Sequence, residues 1–309
     1  MDLIFGSSKR TVLVVGGTGN VGKKVIAQLV RTGKPIRALV RPSSDASELQ
    51  QDGVDVIRGD LMDPESLIPA LENVDCVIYT AAGYMGRKKG DSHNIDQIGA
   101  RNLVDACKEA QIRRFILCSI LTCHAAEGVP HFEDKARMEE YLEEKKVPFI
   151  ALRPGAFLDQ GNDMLKDGIN KGAINTFAAP DVPITYVYTP HLAGYLVAAI
   201  DVKGVTDAEC IDIGMERPLS AIELAQVISD LTGRKIKVAT VKSNFFKGMM
   251  KVGSWFKNSF ATDMHSMMEY FNQGTFVADV TKQLEVFNHV PEPEEAVSEY
   301  LASIHVPLL

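Results

Sequence analysis

Short apolar runs separated by stretches of helical periodicity order the first half of the chain. Strands are predicted at Val12 to Val15, Ile36 to Val40, Val54 to Ile57, Cys76 to Tyr79, Phe115 to Cys118 and Phe149 to Leu152. Each is a β-branched or apolar run of the length a buried strand needs. Between most of them apolar positions recur at helical spacing, as in Val25, Ile26, Leu29 and Val30, in Ile98, Leu103, Val104, Ala106 and Cys107, and in Met138, Tyr141 and Leu142. This alternation implies a parallel sheet wrapped by helices, and right-handed crossovers make it doubly wound. The expected fold class is therefore α/β. In such sheets ligands sit beyond the carboxyl ends of the strands, so the segments that follow each strand are where chemistry is expected.

The second half is less regular. From Gly155 onward, loop-rich sequence with Pro180, Pro183 and Pro190 is interrupted by a predicted strand at Thr185 to Tyr188, a helix at Leu192 to Ile200 and a strand at Cys210 to Ile213. Ser220-Ala221-Ile222-Glu223 reads as a capping box that opens a helix through Leu231, closed by Gly233. With no repeat, low-complexity tract or linker, the halves are expected to interlock. Residues 1–155, with 185–215 returning to them, would form the nucleotide-binding part. Residues 156–184 and 216–309 would form a smaller, partly discontinuous C-terminal substrate lobe.

Composition narrows the function classes. A chain of 309 residues that is 46% hydrophobic can bury a substantial core. Its formal charge of −7, with no cationic run longer than Arg87-Lys88-Lys89, argues against a nucleic-acid binder. No apolar run approaches the roughly 20 residues of a membrane span, and Met1 to Gly6 does not read as a signal peptide. A cytoplasmic protein is expected. The five scattered cysteines, Cys76, Cys107, Cys118, Cys123 and Cys210, read as reduced core residues. Cys118, Cys123 and His124 lack a fourth ligand and standard zinc spacing, so no metal is expected.

Chemistry enters at Gly16-Gly17-Thr18-Gly19-Asn20-Val21-Gly22, which falls between the first strand and the first helix. There the missing Cβ atoms let the backbone approach a pyrophosphate, while free N–H groups and the positive end of the helix dipole face the anion. The bland alternative is a tight glycine turn without a ligand. The spacing Gly-x-x-Gly-x-x-Gly differs by one residue from the standard Rossmann fingerprint. Gly16, Gly19 and Gly22, with Thr18 between, resemble the dinucleotide loop of the short-chain dehydrogenase/reductase superfamily in its extended and atypical branches, which implies a Rossmann sheet.

After the second strand stands Arg41, not an acidic residue, followed by Pro42, Ser43 and Ser44. A guanidinium fork with two nearby hydroxyls suits a 2′-phosphate and favours NADP(H) over NAD. Arg37 either assists or is a solvated side chain at the sheet rim. Arg58-Gly59-Asp60-Leu61 after the third strand and Thr80-Ala81-Ala82-Gly83 after the fourth also match the superfamily. The resemblance places Asp60 and Leu61 by the adenine and Ala81, Ala82 and Gly83 beside the cofactor. Small residues at a strand end serve close packing equally well.

Lys135 stands where the superfamily keeps its active-site lysine, but the tyrosine expected four residues earlier is His131. The string Lys135-Ala136-Arg137-Met138-Glu139-Glu140-Tyr141-Leu142, followed by Leu152-Arg153-Pro154-Gly155-Ala156-Phe157, resembles the atypical NmrA-like branch. That resemblance implies a lysine on the nicotinamide ribose hydroxyls, with Pro154, Gly155 and Phe157 beside the nicotinamide. His131 is a candidate proton donor, an imidazole being able to donate near neutral pH, or else a solvated or capping residue at a helix start. Ser119 or Thr122, after the fifth strand, is expected to bond a substrate carbonyl or merely to satisfy backbone groups. His124 is a further candidate to face the site.

Between Phe245 and Phe276 the sequence gathers Phe245, Phe246, Met249, Met250, Trp255, Phe256, Phe260, Met264, Met267, Met268, Tyr270 and Phe271. This stretch reads first as core, with a pocket for a flat ligand, a homodimer or partner interface, and a membrane-surface helix as alternatives. Two functions are expected. The first is an NADPH-dependent reductase of a small hydrophobic, electron-poor substrate such as a quinone, enone, imine or carbonyl. The second is a non-catalytic NADP(H) sensor that binds a protein partner. An epimerase and an assembly or chaperone factor on the same fold carry less weight.

Overall fold

Each apolar run becomes a strand because it fills the space between two helical layers. The computed structural model describes residues 11–83, 93–159, 164–176, 178–240 and 259–309. Among these, β1 (Thr11–Val15), β2 (Ile36–Val40), β3 (Asp55–Arg58), β4 (Val74–Tyr79), β5 (Arg114–Cys118), β6 (Phe149–Pro154) and β10 (Ala208–Ile213) form one parallel sheet. The order is β10-β6-β5-β4-β1-β2-β3, so the strand order reverses between β1 and β4, the position at which doubly wound sheets open a ligand crevice.

Alternation along the strands sorts the core. Val12 and Val14 of β1 face a layer that holds Val25, Ile26 and Leu29 of α1 (Asn20–Thr32). Leu13 and Val15 face the opposite layer with Leu103, Val104 and Met138. The short α2 (Ser47–Gln51) and α3 (Leu67–Ala70) follow β2 and β3. The second layer is built by α4 (Ala100–Glu109), preceded by a wide π-type turn over His93–Gly99, and by α5 (Pro130–Glu144). Gly33 closes α1 in the left-handed conformation, φ 65°, which a glycine adopts without strain.

The C-terminal part has its own apolar cluster. The two-residue strands β7 (Ala156–Phe157) and β9 (Tyr186–Val187) pair in parallel, as do β8 (Ala173–Thr176) and β11 (Lys237–Thr240). α6 (Met164–Asn170) lies between β7 and β8, and α7 (Thr189–Ala198) leads from β9 to β10 of the main sheet. α8 (Ala221–Thr232) and the helix Pro293–Ser303 meet through Leu224, Ile228, Val297 and Leu301. The capping box is present: Ser220 Oγ accepts from Glu223 N at 3.2 Å, and Glu223 Oε2 accepts from Ser220 N at 2.7 Å.

Two departures from the sequence expectations have physical causes. The predicted strand from Thr185 shortens because Thr185 is diverted to another segment. Its N–H donates to Phe276 O at 3.0 Å and its Oγ1 accepts from Ala278 N at 2.9 Å. The helix predicted from Leu192 begins at Thr189, because Pro190 suits a first turn and Asp159 Oδ1 accepts from Thr189 N at 3.0 Å.

The four cysteines Cys76, Cys107, Cys118 and Cys123 are buried free thiols, and Cys210 is half-buried. Burial pushes the thiols up, Cys118 to about 11 and Cys76 and Cys123 to about 12, so they are unreactive core groups. In the 245–276 stretch, Phe245, Phe246, Met249, Met250, Trp255 and Phe256 lie outside the described residues. Tyr270 and Phe276 are buried with Leu121, Val129 and Phe132, with Met267 and Phe271 packed against them, as a core requires, and Met268 is buried as well. No helix of the described residues is long and apolar enough to cross a membrane.

Candidate functional site

The β1–α1 turn is tight enough that nothing larger than glycine fits at positions 16 and 22. A Cβ on Gly16 would lie 2.6 Å from Ala81 N, and one on Gly22 would lie 2.1 Å from Gly16 O. Gly16 takes φ 88° and Gly16 O accepts from Gly19 N at 2.9 Å. Gly19 is the N-cap of α1 with no side-chain cap, and intrahelical bonding begins with Lys23 N on Gly19 O at 2.9 Å. The amides of Asn20, Val21 and Gly22 are thus left for an acceptor outside the helix, and a pyrophosphate fits that set of donors. Thr18 is exposed at the tip. Asn20 is tethered instead, its Oδ1 accepting from Lys24 Nζ at 2.7 Å.

Past β2 the chain turns back, with Ser44 N donating to Arg41 O at 3.0 Å. Arg41 and Ser43 are exposed, Ser44 is half-buried, and the Arg41 guanidinium has no hydrogen-bond or ion-pair partner among the described residues. Arg58 Nη1 holds this turn in shape, donating to Arg41 O at 3.1 Å and Ser44 O at 2.6 Å. The sequence gives no sign of this supporting role of Arg58, because the carbonyls it holds lie 17 and 14 positions earlier in the chain. Arg37 does not assist Arg41: its Nε donates to Asp55 Oδ2 at 2.7 Å and its Nη1 to Glu72 O at 2.8 Å. Asp60 turns its own loop, its Oδ1 accepting from Met62 N at 2.9 Å, and Leu61 O accepts from Asn102 Nδ2 at 2.8 Å.

Lys135 reaches from α5 to the carboxyl end of β4. Its Nζ donates to Ala81 O at 3.2 Å, lies 3.5 Å from Asp96 Oδ1 and stands 5.2 Å from the centroid of the Tyr79 ring. Asp96 Oδ2 in turn accepts from Gly83 N at 2.7 Å, so one carboxylate fastens both the lysine and the Ala81-Ala82-Gly83 loop. Burial pushes the Asp96 carboxyl above its ordinary value, an effect that Lys135 and the Gly83 amide partly offset. Asp96 was missed in the sequence, because it stands among the polar residues His93, Asn94 and Gln97 with nothing local to single it out. His131 is buried rather than solvated, its ring edge-on to Phe132 at 4.7 Å.

The hydroxyls after β5 are engaged elsewhere. Ser119 is buried and donates to Glu139 Oε1 at 2.5 Å. Thr122, at φ 56°, donates to Leu121 O at 2.7 Å. Glu139 is the hub of this corner, accepting from Arg153 Nε at 3.1 Å and Arg153 Nη2 at 2.5 Å, with His124 Nε2 at 2.8 Å. Burial raises its carboxyl, but Arg153, Ser119 and His124 outweigh burial and leave it below the ordinary glutamate value. Cys123, His124 and Glu139 offer ligand atoms within 4.8 Å of one another. A carboxylate already held by a guanidinium, beside a thiol pushed up to about 12, is a poor cation site.

Pro154 O accepts from Leu121 N at 3.0 Å, tying the end of β6 to the loop after β5. Gly155 is small for a packing reason, since a Cβ there would lie 2.3 Å from Thr185 O. Phe157, in β7, packs against the core layer shared with α1 and α7. The structure thus gathers the glycine turn, Ala81 to Gly83 and Lys135 around the crevice where the strand order reverses. Ser119 is turned away into the Glu139 corner.

Comparison with known proteins agrees with this geometry. The Photosystem II assembly factor Ycf39 of Synechocystis sp. is 27% identical over 309 residues, spanning 94% of this chain and 89% of that protein. The NAD(P)H azoreductase of Xenophilus azovorans is 25% identical over 231 residues, 74% of this chain and 77% of that protein. The crystal structure of the Citrobacter sp. triphenylmethane reductase complexed with NADP(H) has the same fold, with a TM-score of 0.76 at 23% identity over 93% of this chain and 99% of that one. The match to the NmrA-like family runs over residues 8–301, from just before β1 through most of the last helix, and the chain belongs to that family.

Proposed function

We propose that this chain is an NADPH-dependent reductase that delivers hydride to a hydrophobic, electron-poor small molecule such as a quinone, an enone, an imine or a carbonyl compound. The observation that carries the reading is Lys135, seated with Asp96 and Ala81 O at the carboxyl end of β4, on the side of the crevice opened by the glycine turn. When bound, a nicotinamide dinucleotide supplies the hydride. The α1 amides take its pyrophosphate, Arg41 with Ser43 and Ser44 its 2′-phosphate, and Asp60 and Leu61 line its adenine end. Lys135 orients the nicotinamide ribose and raises the positive potential where the acceptor gains negative charge. His131 on the same helix is the candidate proton source, since Ser119 already serves Glu139. Pro154, Gly155 and Phe157 complete the floor. Residues 156–184 and 216–309 form the substrate side.

A second reading, a dinucleotide-dependent protein that acts by binding a partner, is supported by the similarity to Ycf39, named as an assembly factor. The two are separated by following NADPH oxidation against a panel of quinones, enones, imines and aldehydes, with Lys135→Met beside the parent. Turnover by the parent that is lost in the variant supports the reductase. Tight NADPH binding with no turnover on any acceptor refutes it in favour of the second reading.

A further inference from the structure

Arg58, the last residue of β3, braces a turn of which it is no part. The register sets Arg58 opposite Val40, and Gly59 N donates to Val40 O at 3.2 Å, so β3 stays paired with β2 up to the residue before Arg41. Beyond that point Arg41, Pro42 and Ser43 are exposed. The turn closes on one bond of its own, from Ser44 N to Arg41 O at 3.0 Å, with Pro42 at its second position, where a fixed φ suits it. A surface turn held by one such bond opens readily. Arg58 adds two more from outside. Its Nη1 donates to Arg41 O at 3.1 Å and to Ser44 O at 2.6 Å, so a single nitrogen holds the first and last carbonyls of the turn. Asp45 Oδ1 then accepts from Ser47 N at 3.0 Å, which sets the start of α2 just beyond.

This bracing bears on which nucleotide the chain prefers. A ligand that must order a loosely held loop spends part of its interaction on that ordering, and a preformed loop spares it. Arg41, Ser43 and Ser44, the groups assigned to the 2′-phosphate, all belong to the braced turn. The pyrophosphate amides belong to the glycine turn, and Asp60 shapes its own loop through Met62 N. Loosening the braced turn therefore weakens the hold on a 2′-phosphate and spares the rest of the nucleotide. We propose that Arg58 is a positioning residue that sets coenzyme choice, holding the Arg41–Ser44 turn in the shape that receives the 2′-phosphate. The proposal rests on the placement of that phosphate given above and adds a residue that acts through the turn, by way of its two carbonyls.

Arg58→Met keeps an apolar stem and removes the donors, while 2′,5′-ADP and 5′-AMP probe the adenosine end alone and need no turnover. Both nucleotides are titrated by calorimetry, at one ionic strength, into the parent, Arg58→Met and Arg58→Lys. The parent should bind 2′,5′-ADP at least about tenfold more tightly than 5′-AMP. In Arg58→Met that preference should shrink by about five- to tenfold. Affinity for 5′-AMP should stay within about twofold and Tm should barely move, Arg58 being an exposed residue. A lysine carries the charge on a stem that ends short of the Nη1 position, so Arg58→Lys should lose nearly as much. Recovery of the parent's preference by Arg58→Lys would assign the effect to charge and overturn the positioning role. An unchanged preference in Arg58→Met, or equal losses for both nucleotides, would overturn the proposal alone. A parent without any preference for 2′,5′-ADP would overturn the 2′-phosphate placement itself, and the proposal with it.

Discussion

Lys135→Met removes one partner of a buried ion pair and leaves the other behind. Lys135 Nζ and Asp96 Oδ1 are 3.5 Å apart with both side chains almost wholly buried. At an effective dielectric of about 20 that separation corresponds to an attraction of about 5 kcal/mol, and breaking buried pairs costs about 3–5 kcal/mol. The full loss is not expected at every pH, because Asp96 can take up a proton. Burial already holds its carboxyl above the ordinary aspartate value, and losing Lys135 raises it further. Below the parent's Asp96 value both proteins carry a protonated Asp96 and differ least. As pH rises past that value the unfolded chain ionises freely while the folded variant resists, so the variant loses stability relative to the parent by up to about 1.4 kcal/mol per pH unit.

Urea unfolding at about pH 5 and about pH 8, with equal m-values, measures the gap directly. The expected result is a gap that widens by at least about 1 kcal/mol between the two and does not exceed about 5 kcal/mol. A gap that is constant or narrows with pH would refute the pairing. Adding Asp96→Asn to the variant should abolish the pH-dependent part, since no charge is then left stranded.

Two more perturbations test the parts around that pair. Gly22→Ala drives a Cβ onto Gly16 O at 2.1 Å; about 1–3 kcal/mol of stability should be lost and NADPH affinity reduced more than about tenfold, as read by urea unfolding and fluorescence titration. Glu139→Gln should destabilise by about 2–3 kcal/mol at neutral pH, because Arg153 keeps a hydrogen-bond acceptor but loses its counter-charge. Since the Glu139 carboxyl lies below the ordinary glutamate value, its stabilisation is present above that ordinary value and lost as pH falls through the folded-state value. The difference between Glu139→Gln and the parent should therefore shrink in acid, and an acid-independent difference would count against the hub.

The sheet was legible because each strand is a compact apolar run and each helix carries a single apolar stripe. Val12 to Val15 cannot alternate polar and apolar, being covered on both faces by separate layers. The glycine turn was legible for a related reason, since its spacing serves backbone contacts that no other residue permits. Asp96 was not, because a carboxylate that meets Lys135 39 positions later in the chain leaves no local pattern. The Glu139 corner escaped likewise. Ser119 has the sequence position of a catalytic hydroxyl, and only the fold shows it donating to Glu139 of α5, which Arg153 of β6 also holds. Thr185 shows the same limit in a strand, where contacts from Phe276 and Ala278 override local propensity.

The most direct test of the account is equilibrium titration of NADPH and NADH into the parent and Arg41→Glu. The Arg41 guanidinium has no partner among the described residues, and a charge-assisted contact to a phosphate contributes about 1.5–3 kcal/mol. The parent should bind NADPH at least about tenfold more tightly than NADH, and Arg41→Glu should abolish or invert that preference with little change in NADH affinity. Equal affinities in the parent, or equal losses for both nucleotides in the variant, would contradict the placement of the 2′-phosphate and with it the assigned direction of the cofactor across the crevice.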